Sequence, residues 1–432
     1  MLPSFLRRLA LPLLVATAFA ASPAPAATPD EAAARLDALG ITVAGKKPTA
    51  ATLGDLTMIS LYGDRAKGLT DADCALFATL PKLQQVSVAG GRFSRACLEL
   101  LAGIPTLGTV SLSGGDIEPG ALAVFARTAS LTSLQLSDMR GFGPADIGAL
   151  APLSGLRFLN LSFTMVPVGR TTWFDDRLLV EVAKLRGVQM MTLSRVAATA
   201  TGMAAVASMP ALRELILDRG NFGEDALEPL ATSRLVALNL SQNHRLAART
   251  PEIVARIATL QRLDLSNTSV GGNLAPLAGL AKLTALELSY TFVGQSDLAA
   301  LAKAPALEQL TMHDAVGVDD AGVTALAASK TLRTVGLGRT TVGDAGLAAL
   351  LAVPTMRSIY ADDEALSDAF TVAAAKSQII NLQVGNSDLG DAGLAALVDI
   401  PSLTTVSLRN TRVTDAGIAA AKAKRPAFNV YK

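Results

Sequence analysis

Side chains able to do chemistry are few in this chain and widely separated. His244 and His313 are the only histidines. They fall in different units of a repeating pattern, roughly 15 Å apart along its axis, which is too far for one shared metal ion. Asp314, next to His313, reads as a turn residue. Two adjacent carboxylate pairs, Asp319-Asp320 and Asp362-Asp363, have the composition of acid/base machinery. Both read as helix-start turns, where a carboxylate caps the positive end of the helix. No Gly-x-Ser-x-Gly, His-Glu-x-x-His, phosphate loop or Cys-x-x-Cys occurs. Neither an enzyme nor a cofactor or metal site is therefore expected.

Cys74 and Cys97 are the remaining reactive groups. They lie in adjacent repeats of a chain that opens like an exported protein, which invites a disulfide. Counted back from the following strands, however, Cys74 takes the place of a buried helix Leu and Cys97 that of the small Gly beside it. Neighbouring helices about 8–10 Å apart often hold Cα atoms too far apart to bridge. Two small buried thiols are the favoured reading, with the disulfide as the alternative.

What positions these residues is a Leu-x-x-Leu-x-Leu core, with Val, Ile or Met as stand-ins, returning fifteen times from Leu56 to Leu403 at a spacing near 24 residues. Such a period means stacked coils. In the unit that starts at Leu283, Leu286 and Leu288 alternate with Ala285, Glu287 and Ser289. This is the period of a strand with one face in and one out. Thr291 and Val293 turn the chain, Leu298 and Leu301 share one helix face, and Pro305 stops the helix. Asp320, Asp344, Asp391 and Asp415 each open an Asp-Ala-Gly-apolar tetrapeptide and are expected to cap their own helices. The hydrophobic content of 50% with only 4% aromatics suits coils filled by Leu, Val and Ala. A net charge of +1 with both signs scattered leaves no basic stripe, so nucleic acid is not an expected partner.

With Thr340–Leu347 (TTVGDAGL) and Thr411–Ile418 (TRVTDAGI) as its clearest units, the chain resembles leucine-rich repeat proteins. The likeness is to the helix-containing ribonuclease-inhibitor-like and GALA-type forms, and most nearly to exported bacterial versions. It covers residues 56 to 432. The resemblance implies an α/β fold: a curved right-handed solenoid with a parallel sheet on the concave face and helices on the convex face. Family members mostly bind proteins. The turn Asn of plant-type and internalin repeats is replaced by Thr164, Thr268, Thr291, Thr340 and Thr411, with Asn243 the exception. A hydroxyl ladder there is expected to satisfy backbone groups of the adjacent coil.

The domain limits read as a signal peptide over 1–26, an N-terminal cap over 28–55, fifteen repeats over 56–427 and a capping strand over 428–432. Arg7-Arg8, the apolar run Leu9–Ala21 and the small residues near Ala20 and Ala26 carry the export reading. No cysteine follows that run, so no lipid anchor is expected, and no later apolar stretch is long enough to span a membrane. Residues 30–40 read as a cap helix begun by Asp30 and ended by Gly40.

Residues on the concave strands are where a partner would sit. Glu214, Asp218, Asp264 and Glu287 form an acidic stretch with Arg262 among them, and Phe158, Tyr290 and Tyr360 are aromatics on or beside that face. The repeat from Leu156 is 32 residues long, with an insertion over about 164–175 that carries Arg170 and Trp173, the only Trp. Trp173 either binds a partner or plugs the widened coil. The function expected is an exported protein-binding module, monomeric, periplasmic or extracellular, whose partner is another protein. The alternatives are a cell-envelope structural or adhesive element, or a secreted inhibitor or host-directed effector.

Overall fold

A computed structural model of the chain describes residues 28–162 and 174–432. The segment read as a signal peptide, together with Thr164, Arg170 and Trp173, lies outside the described residues. Repeats are numbered here 1 to 15 from their leading residues, Leu56 to Leu403.

Each repeat contributes one short strand, and sixteen strands join in chain order into a single parallel sheet from Met58–Tyr62 to Asn429–Tyr431. Adjacent strands are in phase: Leu263 faces Leu286, and Leu286 faces Leu310. This register follows from the period-two pattern, since a slip by one residue would turn every Leu out of the core. The leucines that lead and fill each strand are buried, as at Leu283, Leu286 and Leu288. Helices return the chain on the opposite side. Strands stack about 4.8 Å apart and helices about 8–10 Å, so the sheet lines the inside of the curve. The architecture is the α/β leucine-rich repeat solenoid that the sequence implies.

Not every return segment is an α-helix. Ala121–Arg127, Glu224–Thr232 and Ala275–Gly279 are 3-10 helices, the last two containing Pro229 and Pro276. Pro229, inside its segment, has no N–H to donate and disfavours a continuing α-helix, whereas Pro276 stands in the first turn, where proline is tolerated. Between sheet and helices, Arg92–Phe93 pairs with Asp116–Ile117, and isolated bridges such as Phe292–Val316 continue that ladder in other repeats.

Three local readings change. First, Asp320 does not cap its own helix. Asp319 does, accepting from the Gly322 amide at 2.8 Å, while Asp320 Oδ1 reaches the next coil and accepts from Gly343 N (2.7 Å) and Gly346 N (2.9 Å). Asp344 likewise takes Ser367 N and Oγ, and Asp391 takes Thr414 N and Oγ1. A Cβ on Gly346 would stand 2.6 Å from Asp320 Oδ1, and Gly393 and Gly417 face Asp368 and Asp391 in the same way. Second, the turn hydroxyls of Thr268 and Thr411 serve their own coil, donating to Leu265 O (2.6 Å) and Leu408 O (2.9 Å), while that of Thr340 donates to the Glu364 side chain of the next coil. Asn243, at the same turn position, bridges coils through its amide, donating to both Leu240 O (2.7 Å) and Leu217 O (2.8 Å). A hydroxyl is too short to reach the neighbour's backbone. Third, the cap helix spans Pro29–Ala38 and is begun by Thr28, with Glu31 closing a capping box, rather than by Asp30. Proline favours the first helical position, which puts the cap at Thr28, two residues before Asp30.

Cys74 and Cys97 are bonded, with Cα atoms 5.2 Å apart, against the favoured reading of two free thiols. The reason lies in where the helices touch. Elsewhere a Gly in the first turn of one helix meets a Leu of the preceding helix, as Gly322 meets Leu298 and Gly202 meets Leu179. At that contact neighbouring helices come too close for a side chain on the glycine, and Cys97 and Cys74 occupy its two sides. At Asp73, immediately before the bridge, the buried carboxylate is gripped by Arg35 at 2.6 Å and by Thr70. Arg35 and Thr70 hold it below the usual carboxylate range against the opposing cost of burial. The cap is thus tied to repeat 1 by a charge pair and repeat 1 to repeat 2 by a covalent bond. Among the described residues no helix is long and apolar enough to cross a membrane.

Candidate binding groove

Outward-facing strand positions form two rows. Glu214, Ala237, Arg262 and Ala285 stand side by side in the first, and Ile216, Asn239, Asp264 and Glu287 in the second. Arg262 Nη2 donates to Glu214 Oε1 at 2.8 Å although a whole strand lies between them. The residue on that strand is Ala237, whose methyl group is small enough for the arginine to pass over. Asn239 Nδ2 donates to Asp264 Oδ2 at 2.7 Å.

A serine two residues on fixes each acceptor in the second row. Ser241 N donates to Asn239 Oδ1 (2.8 Å), Ser266 N and Oγ to Asp264 Oδ1 (2.9 and 2.6 Å), and Ser289 N to Glu287 Oε1 (3.0 Å). Asn160 and Ser162 repeat the clasp in repeat 5. One side of each acidic group thus closes the end of its own strand, an Asx-type contact. The result is a shallow groove of about 320 Å³ across repeats 7 to 11, with the alanines as floor and the charged groups as walls. Glu214 takes up the charge of Arg262, so Asp264 and Glu287 leave the groove with an excess of negative charge.

The sequence-predicted residues divide accordingly. Glu214, Arg262, Asp264 and Glu287 come together in the groove. Asp218 does not join them: it sits past the end of its strand, accepting from Ser194 Oγ at 2.6 Å, with Arg219 3.8 Å away. Phe158 is half-buried two strands before Glu214. Tyr360 lies in the second row beyond Thr311 and Gly336, 39% exposed. Tyr290 stands on the rim, where the backbone turns with a left-handed φ of 58°. The pair Asp362-Asp363 is in such a turn too and not at a helix start; Asp362 accepts from Gly385 N at 2.6 Å.

Composition along the strands does not reveal the rim. Among the described residues its eighth position is left-handed: glycine at Gly63, Gly90 and Gly114, then residues with side chains such as Arg219, Tyr290, Asp314, Arg339 and Asp363. Arg339 donates to Asp314 (2.8 Å) and to the Tyr290 hydroxyl (3.3 Å), and lies 3.6 Å from Asp363. The guanidinium holds the Asp314 carboxyl below the usual range. Phe292 and Val316, 57% and 61% exposed, are bridge partners just outside this cluster. The eighth positions, read at the 24-residue spacing, change from glycine to residues with side chains from Asp138 onward, and Arg339 is one of three arginines among them, with Arg195 and Arg219.

Register, single parallel sheet and coil together define a leucine-rich repeat solenoid. A family model described as FBD-associated F-box protein At5g56370, LRR repeats, matches residues 224–369. An internalin from Listeria monocytogenes is 17% identical with a TM-score of 0.50, covering 93% of this chain and 94% of that one. A leucine-rich repeat protein from Leptospira interrogans is 16% identical with a TM-score of 0.50, covering 89% and 98%. The TLR13 chain solved with the single-stranded RNA ssRNA13 is 14% identical with a TM-score of 0.53, covering 89% and 63%. Curated proteins give no match by sequence. At these identities the likeness is one of fold. Among the described residues no three His, Cys, Asp or Glu side chains converge as a metal site.

Proposed function

We propose that this chain is an exported module that binds another protein through the concave groove of repeats 7 to 11 and the adjoining Tyr290–Arg339 rim. The observation that carries the reading is the groove itself. Its charged walls are fixed by strand-end clasps before any partner arrives, and preorganised polar groups around an apolar floor are what an interface centre needs. Tyr and Arg, the residues enriched at hot spots, stand at its edge. The excess negative charge favours a partner that presents a basic side chain. Export is supported by the Arg7-Arg8 and Leu9–Ala21 pattern and by the Cys74–Cys97 bridge, since disulfides persist in oxidising compartments.

Affinity capture from periplasm and from medium tests this. Native protein is compared with an Arg262→Ala, Asp264→Asn, Glu287→Gln variant and with a Lys303→Glu variant on the exposed helical side. One stoichiometric partner kept by the Lys303 variant and lost by the groove variant is the expected outcome. A partner kept by the groove variant contradicts the reading.

A further inference from the structure

Glu364 occupies the turn position that Thr268, Ser387 and Thr411 fill with a small hydroxyl. It is 4% exposed. Its Oε1 accepts from Thr340 N at 2.7 Å and from Thr340 Oγ1 at 2.8 Å, both in the preceding repeat. Its Oε2 is buried with no hydrogen-bond partner. Thr340 is thereby drawn across the coil boundary instead of closing its own turn as Thr268 and Thr411 do.

An ionised carboxylate in this position would leave one charged oxygen buried and unanswered. A carboxyl that keeps its proton on Oε2 still accepts both Thr340 bonds at Oε1 and carries no charge. The surroundings give no compensating cation. Asp362 and Asp363 share its turn, and Arg339, which precedes Thr340 in the chain, is paired with Asp314 and lies 3.6 Å from Asp363. On the following repeat, Asp388 is paired with Arg412.

We propose that Glu364 is a proton-operated latch between repeats 12 and 13: its neutral carboxyl stays buried and holds Thr340 across the boundary, and once the proton is lost the cost of a buried charge draws the carboxylate out toward water and off Thr340. Thr340 and Glu364 directly follow Arg339 and Asp363 in the chain, so release of the latch loosens one end of the rim cluster. Burial is the main cause that raises the affinity of Glu364 for its proton above the ordinary glutamate value, with Asp363 adding to it, and it outweighs the Thr340 bonds and the Val342 amide, which favour the charged form. Because the folded chain binds this proton more tightly than the unfolded chain, the stabilisation is complete below the ordinary glutamate range. It is lost as pH rises through the folded-state midpoint.

Carboxyl carbon resonances of glutamate-labelled full-length protein test the proposal, with Glu364 assigned by its loss in Glu364→Gln. Its midpoint should lie above that of the exposed glutamates. Amide protection over residues 339–343, corrected for intrinsic exchange, should fall through the same midpoint, about tenfold for each pH unit of elevation. Glu364→Gln, or Glu364→Thr if the glutamine variant does not fold, should remove that pH dependence. A Glu364 midpoint at or below the ordinary range, or protection that is flat with pH in the native chain, overturns it.

Discussion

At the scale of single residues, the Asp-Ala-Gly tetrapeptide is completed by its neighbour. The Asp of one coil fills the space that the Gly of the next leaves vacant, and bonds that coil's free amides. Asp320→Ala removes acceptors from Gly343 N and Gly346 N and is expected to cost about 1–3 kcal/mol. Gly346→Ala places a methyl group against Asp320 Oδ1 and against Val342. In the double variant the first clash is gone, so the two costs should sum to more than the measured total. Urea unfolding of the four proteins measures the coupling. Strict additivity would show that the two residues act separately. The sequence displays both residues, but the period hides that they belong to different coils, so each Asp reads as the cap of its own helix.

Among elements, the strand and helix alternation is legible from Leu spacing and from prolines such as Pro305, because core periodicity leaves few choices of register. The details of contact between helices are not. Cys74 and Cys97 can be placed on facing helices from their positions, yet the mean spacing of helices argues against a bond. The local approach at a Leu–Gly contact decides otherwise. Loop closure over the 23-residue separation makes the bridge worth about 3 kcal/mol. Thermal unfolding should therefore occur at lower temperature for Cys74→Ala, Cys97→Ala than for the oxidised native chain. Cys74→Leu, Cys97→Gly, which restores the packing used in other repeats, should recover part of the loss. Equal melting of the alanine pair and the native chain would mean that the bridge adds nothing to stability. Pro229 and Pro276 similarly mark segments where the return is a 3-10 helix, a distinction that apolar spacing alone does not make.

Over the whole molecule, regularity builds one surface and its departures divide it. Outward strand positions in repeats 1 to 6, from Met58 and Ser60 to Met190 and Thr192, carry no charge, whereas those of repeats 7 to 10 bring Glu214, Arg262, Asp264 and Glu287 together. That charged stretch is legible as a run in the sequence. Its geometry is not, because it depends on what lies between: Ala237 lets Arg262 reach Glu214, and Ser266 and Ser289 fix the carboxylates. Tyr290 is visible as an aromatic, while its partner Arg339 is 49 residues away and meets it only because two turns of the coil bring their rims into line. The groove is the face on which the proposed partner sits. The most direct measurement puts a photoreactive amino acid at Ala285, on the groove floor, or at Lys303, on the helical side, and irradiates the producing cells. A discrete protein adduct from position 285 and none from position 303 is the expected result. An adduct from position 303 with none from position 285 would contradict it.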